Sequence, residues 1–380
     1  MPPNHLSSEI HLHQPRPHHH PSKSTLPTYI IYFITGNPGL IEYYRTFLTH
    51  LYGLLATPTS PFTSSAYPTF HVFGRSLSGF ATNPVTRSNN NLTKPPPYAL
   101  EEQINHSQEA LERLVHDVRS NEGAKDVRVI LMGHSVGAYI LLELTRRLRK
   151  KAEELSTGEE GGEAVRIVGG VCLFPTVTHI AKSDSGRKSG WLLNLPPFAH
   201  YASLAAKTLT FALPTSFLTS LIRTVLRFPR DAADVTASFI NSPHGVEQAL
   251  HMARDEMLQI TSDTWDTEIW GAAHASSHAH GHARPVLRFL FAKEDHWVAD
   301  ETRDELIRIR GRSVGSGKNI EGEESASEGE DSEVEEWKPV MEIDEEEGWQ
   351  HGFCIRDSVP VAERVFGYVR DIVEVDRSVR

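Results

Sequence analysis

Gly133-His134-Ser135-Val136-Gly137 is a G-x-S-x-G pentapeptide, a pattern that sets a serine hydroxyl on a sharp strand-to-helix turn. The two glycines serve a physical need, because backbones approach there more closely than a Cβ allows. Five residues alone are a weak signal, since an ordinary turn can hold a serine by accident. A serine at neutral pH also needs a base to take its proton, and the base needs an acid to orient it. For a serine on this kind of turn the chain order is serine, acid, histidine. Asp295 stands just past an apolar run, and His351 stands in Trp349-Gln350-His351-Gly352-Phe353 further on. These two are the acid and base candidates. Glu294 and Asp300 compete for the acid, and His296 for the base. As a chain neighbour of the acid, His296 cannot easily fold back between it and the serine. Acyl transfer further needs donors for a developing oxyanion. One is the backbone N–H of Val136. The other comes from Gly36-Asn37-Pro38-Gly39, where Pro38 has no N–H and Asn37 is the candidate.

These residues need a scaffold. Val127-Arg128-Val129-Ile130-Leu131-Met132 reads as a strand entering the serine turn. Ala138 to about Leu155 reads as the helix leaving it, with Ile140, Leu141, Leu144 and Leu148 on one face. Tyr29-Ile30-Ile31-Tyr32-Phe33-Ile34 is a continuous apolar run, as expected of a strand buried on both sides. Further strands are expected at Thr69 to Phe73, Val165 to Phe174, Val286 to Ala292 and Lys338 to Ile343. Further helices are expected at Tyr43 to Leu55, Leu100 to Arg119, Asp300 to Arg310 and Val359 to Val373. Alternation of this kind predicts an α/β fold, a mostly parallel sheet with helices on both faces. Between about residues 183 and 273 strand signals vanish and apolar helical stretches take over, which predicts an inserted helical cap.

The chain has 380 residues with 38 Lys+Arg against 49 Asp+Glu, a formal net charge of −11. That balance argues against a nucleic-acid partner. The acidity is local: residues 321 to 347 hold 14 acids and one base, Lys338, which leaves the remainder near neutral. The expected organisation is a disordered His/Pro-rich tail over 1–27, then one domain over 28–375. That domain contains the cap and an acidic disordered insert at 313–337. No apolar run reaches the ~20 residues of a membrane-spanning helix. Cys172 and Cys354 are the only cysteines, so no disulfide framework is expected and a reducing compartment is. His18 to His20, and His274, His278, His280 and His282, lack partners at ligand spacing and read as low complexity rather than a metal site. No cofactor is implied. Within the cap, Trp191, Leu195, Tyr201, Leu209, Phe211, Phe217 and Leu221 crowd a segment flanked by Arg223, Arg227 and Arg230. Two readings are open, a lid packed on its own domain and a surface that enters a lipid monolayer.

The chain resembles the lipid droplet-associated hydrolase family, a branch of the α/β-hydrolases. The likeness lies in Gly36-Asn37-Pro38-Gly39 with Tyr43, Tyr44 and Phe47. It continues in Leu131 to Tyr139 and in Leu173-Phe174-Pro175-Thr176 with Ser183, Ser185, Gly186 and Arg187. Asp295-His296-Trp297 and His351 with Phe353 complete it. The resemblance implies the α/β-hydrolase fold, with Ser135 as nucleophile, Asp295 as acid and His351 as base. It also implies an esterase for neutral-lipid esters (sterol esters or acylglycerols) at lipid droplets and the endoplasmic reticulum. The long acidic insert and the histidine-rich loop depart from the pattern. Two rival expectations stand beside it. One is a droplet- or endoplasmic reticulum-surface binding protein with little turnover. The other is a soluble esterase or thioesterase for small substrates.

Overall fold

Every residue of Thr28–Ile34 is buried, and its side chains divide between two cores. Ile30, Tyr32 and Ile34 face one, while Tyr29, Ile31 and Phe33 face the other. A strand covered on both faces has no polar side to present, which is why the run is continuously apolar. Each such side chain contributes about 1.5–3 kcal/mol by leaving water.

The computed structural model describes residues 6–14, 26–57, 68–82, 94–157, 164–195, 197–211, 213–270, 285–312 and 338–378. In chain order the strands are β1 (Glu9–His13), β2 (Thr28–Ile34), β3 (Thr69–Arg75), β4 (Val127–His134), β5 (Arg166–Leu173), β6 (Val286–Ala292) and β7 (Val340–Asp344). They form one sheet in the order β1-β3-β2-β4-β5-β6-β7. All neighbours run parallel except β1, which lies antiparallel on β3. The helices are α1 (Arg45–Ala56), α2 (Leu100–Glu122), α3 (Val136–Thr157), α4 (Asp184–Leu193), α5 (Phe198–Phe211), α6 (Thr215–Val225), α7 (Arg230–Asn241), α8 (Gly245–Gln259), α9 (Asp300–Arg310) and α10 (Ser358–Ser378). Helices α1 and α10 cover one face, through Phe47, Leu51, Val365 and Ile372. Helices α2 and α3 cover the other, through Leu111, Val115, Leu141 and Leu144. This is the α/β-hydrolase fold.

The assignment of all of residues 1–27 to a disordered tail needs correction, because Glu9–His13 is an edge strand. Ile10 is buried in the core under α1, and the register sets His13 opposite His71. The apolar alternation is only two residues deep, Ile10 and Leu12, and five residues is short for a recognisable strand pattern. The acidic insert at 313–337 and the loop carrying His274 to His282 lie outside the described residues.

Five helices, α4 to α8, stand between β5 and β6 where the cap was expected. Ser183 caps the first of them, its Oγ accepting from Gly186 N–H at 3.0 Å. Position 186 has no room for a side chain, since a Cβ there would lie 2.5 Å from the Ile180 carbonyl oxygen. The Ser/Gly stretch after Thr176 is therefore a helix start. Among the described residues no helix is long and apolar enough to cross a membrane.

Candidate active site

Strand β4 ends at His134 and α3 begins at Val136, so Ser135 is the whole of the turn between them. Its φ is +54°, a left-handed value for a residue with a Cβ. Such strain persists only where the surroundings enforce it. Here Ser135 N–H donates to the Leu173 carbonyl at 3.0 Å, and its own carbonyl accepts from Ala138 and Thr176 N–H at 2.9 and 3.4 Å. The Leu173-Phe174-Pro175-Thr176 stretch thus grips the turn from the β5 side. The flanking glycines are obligatory. A Cβ on Gly133 would sit 2.2 Å from the Gly137 carbonyl oxygen, and one on Gly137 would sit 2.3 Å from that of Ile34. In both cases the obstacle is backbone, which cannot swing aside.

The Ser135 side chain is almost enclosed. Its Oγ lies 2.9 Å from His351 Nε2. The other ring nitrogen, Nδ1, lies 2.7 Å from Asp295 Oδ2. The remaining carboxylate oxygen of Asp295 accepts from Trp297 N–H at 2.7 Å. The structure therefore brings together the three residues singled out for acid, base and nucleophile. It sets the rivals apart. Asp300 pairs with Arg303 at 2.9 Å. Glu294 and His296 are exposed on the rim of the neighbouring cavity. Val136 and Asn37 both sit beside the serine turn, and neither backbone N–H has a hydrogen-bond partner among the described residues. The Asn37–Pro38 peptide is cis.

Three residues not singled out for chemistry hold this arrangement. His134 Nε2 lies 2.8 Å from the carbonyl oxygen of His351. A carbonyl only accepts, so Nε2 carries the proton and Nδ1 is the acceptor. Tyr44 Oη donates to that Nδ1 at 2.7 Å and accepts from Gly36 N–H at 3.1 Å. The chain of bonds ties the loop after β2 to the backbone of His351. Burial, and then His351 nearby, push the His134 pKa down to about 3. The ring stays neutral, as its donor and acceptor roles require. Tyr44 is held well above its ordinary value by burial and keeps its proton.

The third residue is Glu256, on α8. Asn37 Nδ2 donates to the Ala249 carbonyl at 2.9 Å and to Glu256 Oε1 at 3.0 Å, so the cap grips the loop carrying Asn37. Burial, aided by nearby Asp255 and opposed by the Asn37 bond, raises Glu256 from its ordinary 4.5 to about 8. Between those two values the unfolded chain gives up this proton while the folded protein keeps it. Stability from this residue is therefore greatest below about pH 4.5 and falls as pH climbs toward 8. Glu256→Gln keeps an acceptor for Asn37 and cannot ionise. The melting curve of this variant should flatten across that range, and at pH 8 it should melt roughly 2–5 °C above the parent. Parallel pH profiles for the two proteins would contradict the assignment. A lone carboxylate on a helix offers no sequence signal, so only the fold reveals this residue.

A cavity of about 720 Å³ opens against His351 and His134, next to the serine turn. Tyr43, Leu226, Phe228, Phe239 and Trp297 give it a mainly apolar wall, while Asn37 and His351 supply polar edges. Such a space suits an apolar chain with one polar group at the His351 edge.

A model of the family described as lipid-droplet associated hydrolase matches residues 27–354. The chain is similar to a lipid droplet-associated hydrolase of Gallus gallus, 29% identical over 242 residues, or 62% of this chain and 64% of that protein. It thus spans a little under two thirds of that relative's length. A Dictyostelium discoideum protein of the same description is 24% identical over 289 residues, 76% of this chain and 79% of the other. Among solved structures, the haloalkane dehalogenase DbeA from Bradyrhizobium elkani superimposes with a TM-score of 0.50 at 9% identity. That match covers 97% of this chain and 99% of the other, and it is a likeness of fold.

Proposed function

Because the chain belongs to the lipid-droplet associated hydrolase family, we propose that it is a serine ester hydrolase that cleaves neutral-lipid esters, sterol esters or acylglycerols, at the droplet surface. The observation that carries this reading is the continuous line Asp295 Oδ2, His351 Nδ1, His351 Nε2, Ser135 Oγ, at 2.7 and 2.9 Å. In the proposed reaction His351 takes the Ser135 proton as Oγ attacks the ester carbonyl carbon. The carbonyl oxygen becomes an oxyanion held by the N–H groups of Val136 and Asn37. Collapse breaks the bond to the alcohol, which leaves with the proton from His351. Water then gives a proton to His351 and attacks the acyl-serine. The acid departs and Ser135 regains its proton. Asp295 holds the imidazole in the tautomer whose Nε2 can accept.

The droplet part of the reading rests on the relatives' names and on the cap. Trp191, Leu209, Phe211 and Val225 are 68%, 76%, 93% and 67% exposed, and this many large exposed apolar side chains on the cap support an interaction surface there. Helix α6 leads from the exposed Phe217 and Leu221 toward Leu226 and Phe228 in the cavity wall, which supports entry of a lipid from an oil phase toward the His351 side of the site. The same residues favour a second reading, a droplet-surface protein with little turnover, since adhesion does not need the serine.

The test uses the purified full-length chain. A fluorophosphonate probe should label it, and Ser135→Ala should remove the label. Emulsified triacylglycerol or sterol ester should be hydrolysed faster than a dissolved short-chain ester. Folded protein with neither label nor turnover would leave the adhesion reading in place. Equal or better turnover of the dissolved ester, without droplet binding, would favour a small-substrate esterase or thioesterase.

A further inference from the structure

At the opposite end of the sheet from Ser135, three metal-ligating side chains from distant parts of the chain converge. His13 ends β1, His71 is the third residue of β3, and Glu122 closes α2. One donor atom from each lies within 4.8 Å of the other two. His71 Nε2 stands 3.3 Å from Glu122 Oε2, and His13 Nδ1 stands 3.9 Å from Glu122 Oε1. His71 is fully buried. Both His13 Nδ1 and Glu122 Oε2 are buried without a hydrogen bond, a costly state for polar atoms that a cation would relieve.

We propose that His13, His71 and Glu122 form a binding site for a divalent transition-metal ion of the zinc class, a staple that fastens the edge strand β1 and the end of α2 to β3. Two imidazoles and a carboxylate suit Zn²⁺, with a water or an open position completing the set. Donors about 2.0–2.1 Å from a tetrahedral metal stand roughly 3.3 Å from one another. The observed separations approach that spacing. One rearrangement is required. The His13 and His71 rings now stack at 4.9 Å with 8° between their planes, and in-plane lone pairs of parallel rings cannot meet at one ion. His13, partly exposed, is the ring with room to turn.

A neighbouring residue fits the arrangement. His71 Nδ1 lies 3.1 Å from His11 Nε2. With His71 Nε2 on the metal, Nδ1–H donates to His11 Nε2, which takes the place that a carboxylate, carbonyl or water usually has at a metal-bound histidine's far nitrogen. Location argues for structure rather than catalysis. Through the parallel register, His71 aligns with Ile30 and Val129. That level is six residues before Ser135, or about 20 Å along the strands.

The experiment titrates chelator-treated full-length protein with ZnCl₂ by calorimetry, and with Co²⁺ by visible absorption. One site per chain should bind well ahead of weak sites in the histidine-rich runs. His13→Gln and Glu122→Gln should each weaken that site at least about 100-fold. The parent should melt about 5 °C higher at a hundredfold excess of zinc over Kd. Neither variant should show that rise, although each should melt near the parent without metal. Replacing His18 to His20 with serine should leave the site intact. An isotherm unchanged in both variants, or one lost with His18 to His20 instead, would overturn the proposal.

Discussion

Ser135→Ala should lower kcat for any ester the protein hydrolyses by roughly 10⁴–10⁶-fold, while its melting temperature stays the same or rises. The loss follows from removing the only atom in the line that can form the acyl bond. Retained or improved stability follows from the φ of +54° at this position, which a side chain without a polar demand tolerates no worse. Asp295→Asn gives a sharper test, with an expected loss of about 10⁴-fold in kcat. Trp297 N–H occupies one oxygen of Asp295. The amide oxygen of an asparagine would remain there, and its NH₂ would face His351 Nδ1. That nitrogen would have to accept, which moves the ring proton to Nε2, where it can no longer take the serine proton. Binding of substrate should change little, so the effect should appear in kcat rather than KM. A variant within tenfold of the parent would mean that Asp295 does not orient the base.

Signals local in the chain made much of this legible. A run such as Tyr29 to Ile34 has only one comfortable home, the middle of a sheet. Glycines two residues either side of Ser135 mark a turn where backbone meets backbone. Asp295 and His351 were recognisable because each follows a strand, and strands of a parallel sheet end on the same edge. Contacts that join distant segments were not legible. The side chains of Tyr44 and His134 and the main-chain carbonyl of His351 meet from three parts of the sequence. Asn37 and Glu256 are 219 positions apart. The histidines that attract notice in the sequence occur in runs, whereas the converging set takes single residues from β1, β3 and α2. A strand register, not a motif, places His13 against His71.

The second large effect concerns the cap. Leu209→Asp with Phe211→Asp should reduce partitioning onto triolein droplets coated with phospholipid by about 10²–10⁴-fold. Each lost apolar side chain removes about 1.5–3 kcal/mol of insertion. Both residues are far exposed, at 76% and 93%, so folding loses little when they change. The pair therefore separates adhesion from catalysis. Hydrolysis of a dissolved ester should persist, and hydrolysis of the emulsified lipid should fall with the binding. Arg223 and Arg227 stand exposed near the end of α6, where headgroup phosphates would meet them, and replacing both with Gln should weaken binding modestly and in a salt-dependent way. A flotation assay reads each quantity directly. Unaltered flotation of the Asp pair would show that the exposed residues serve another surface. If instead a dimer buried them, the parent would have twice the solution mass of the variant, and its affinity for oil would not depend on these positions.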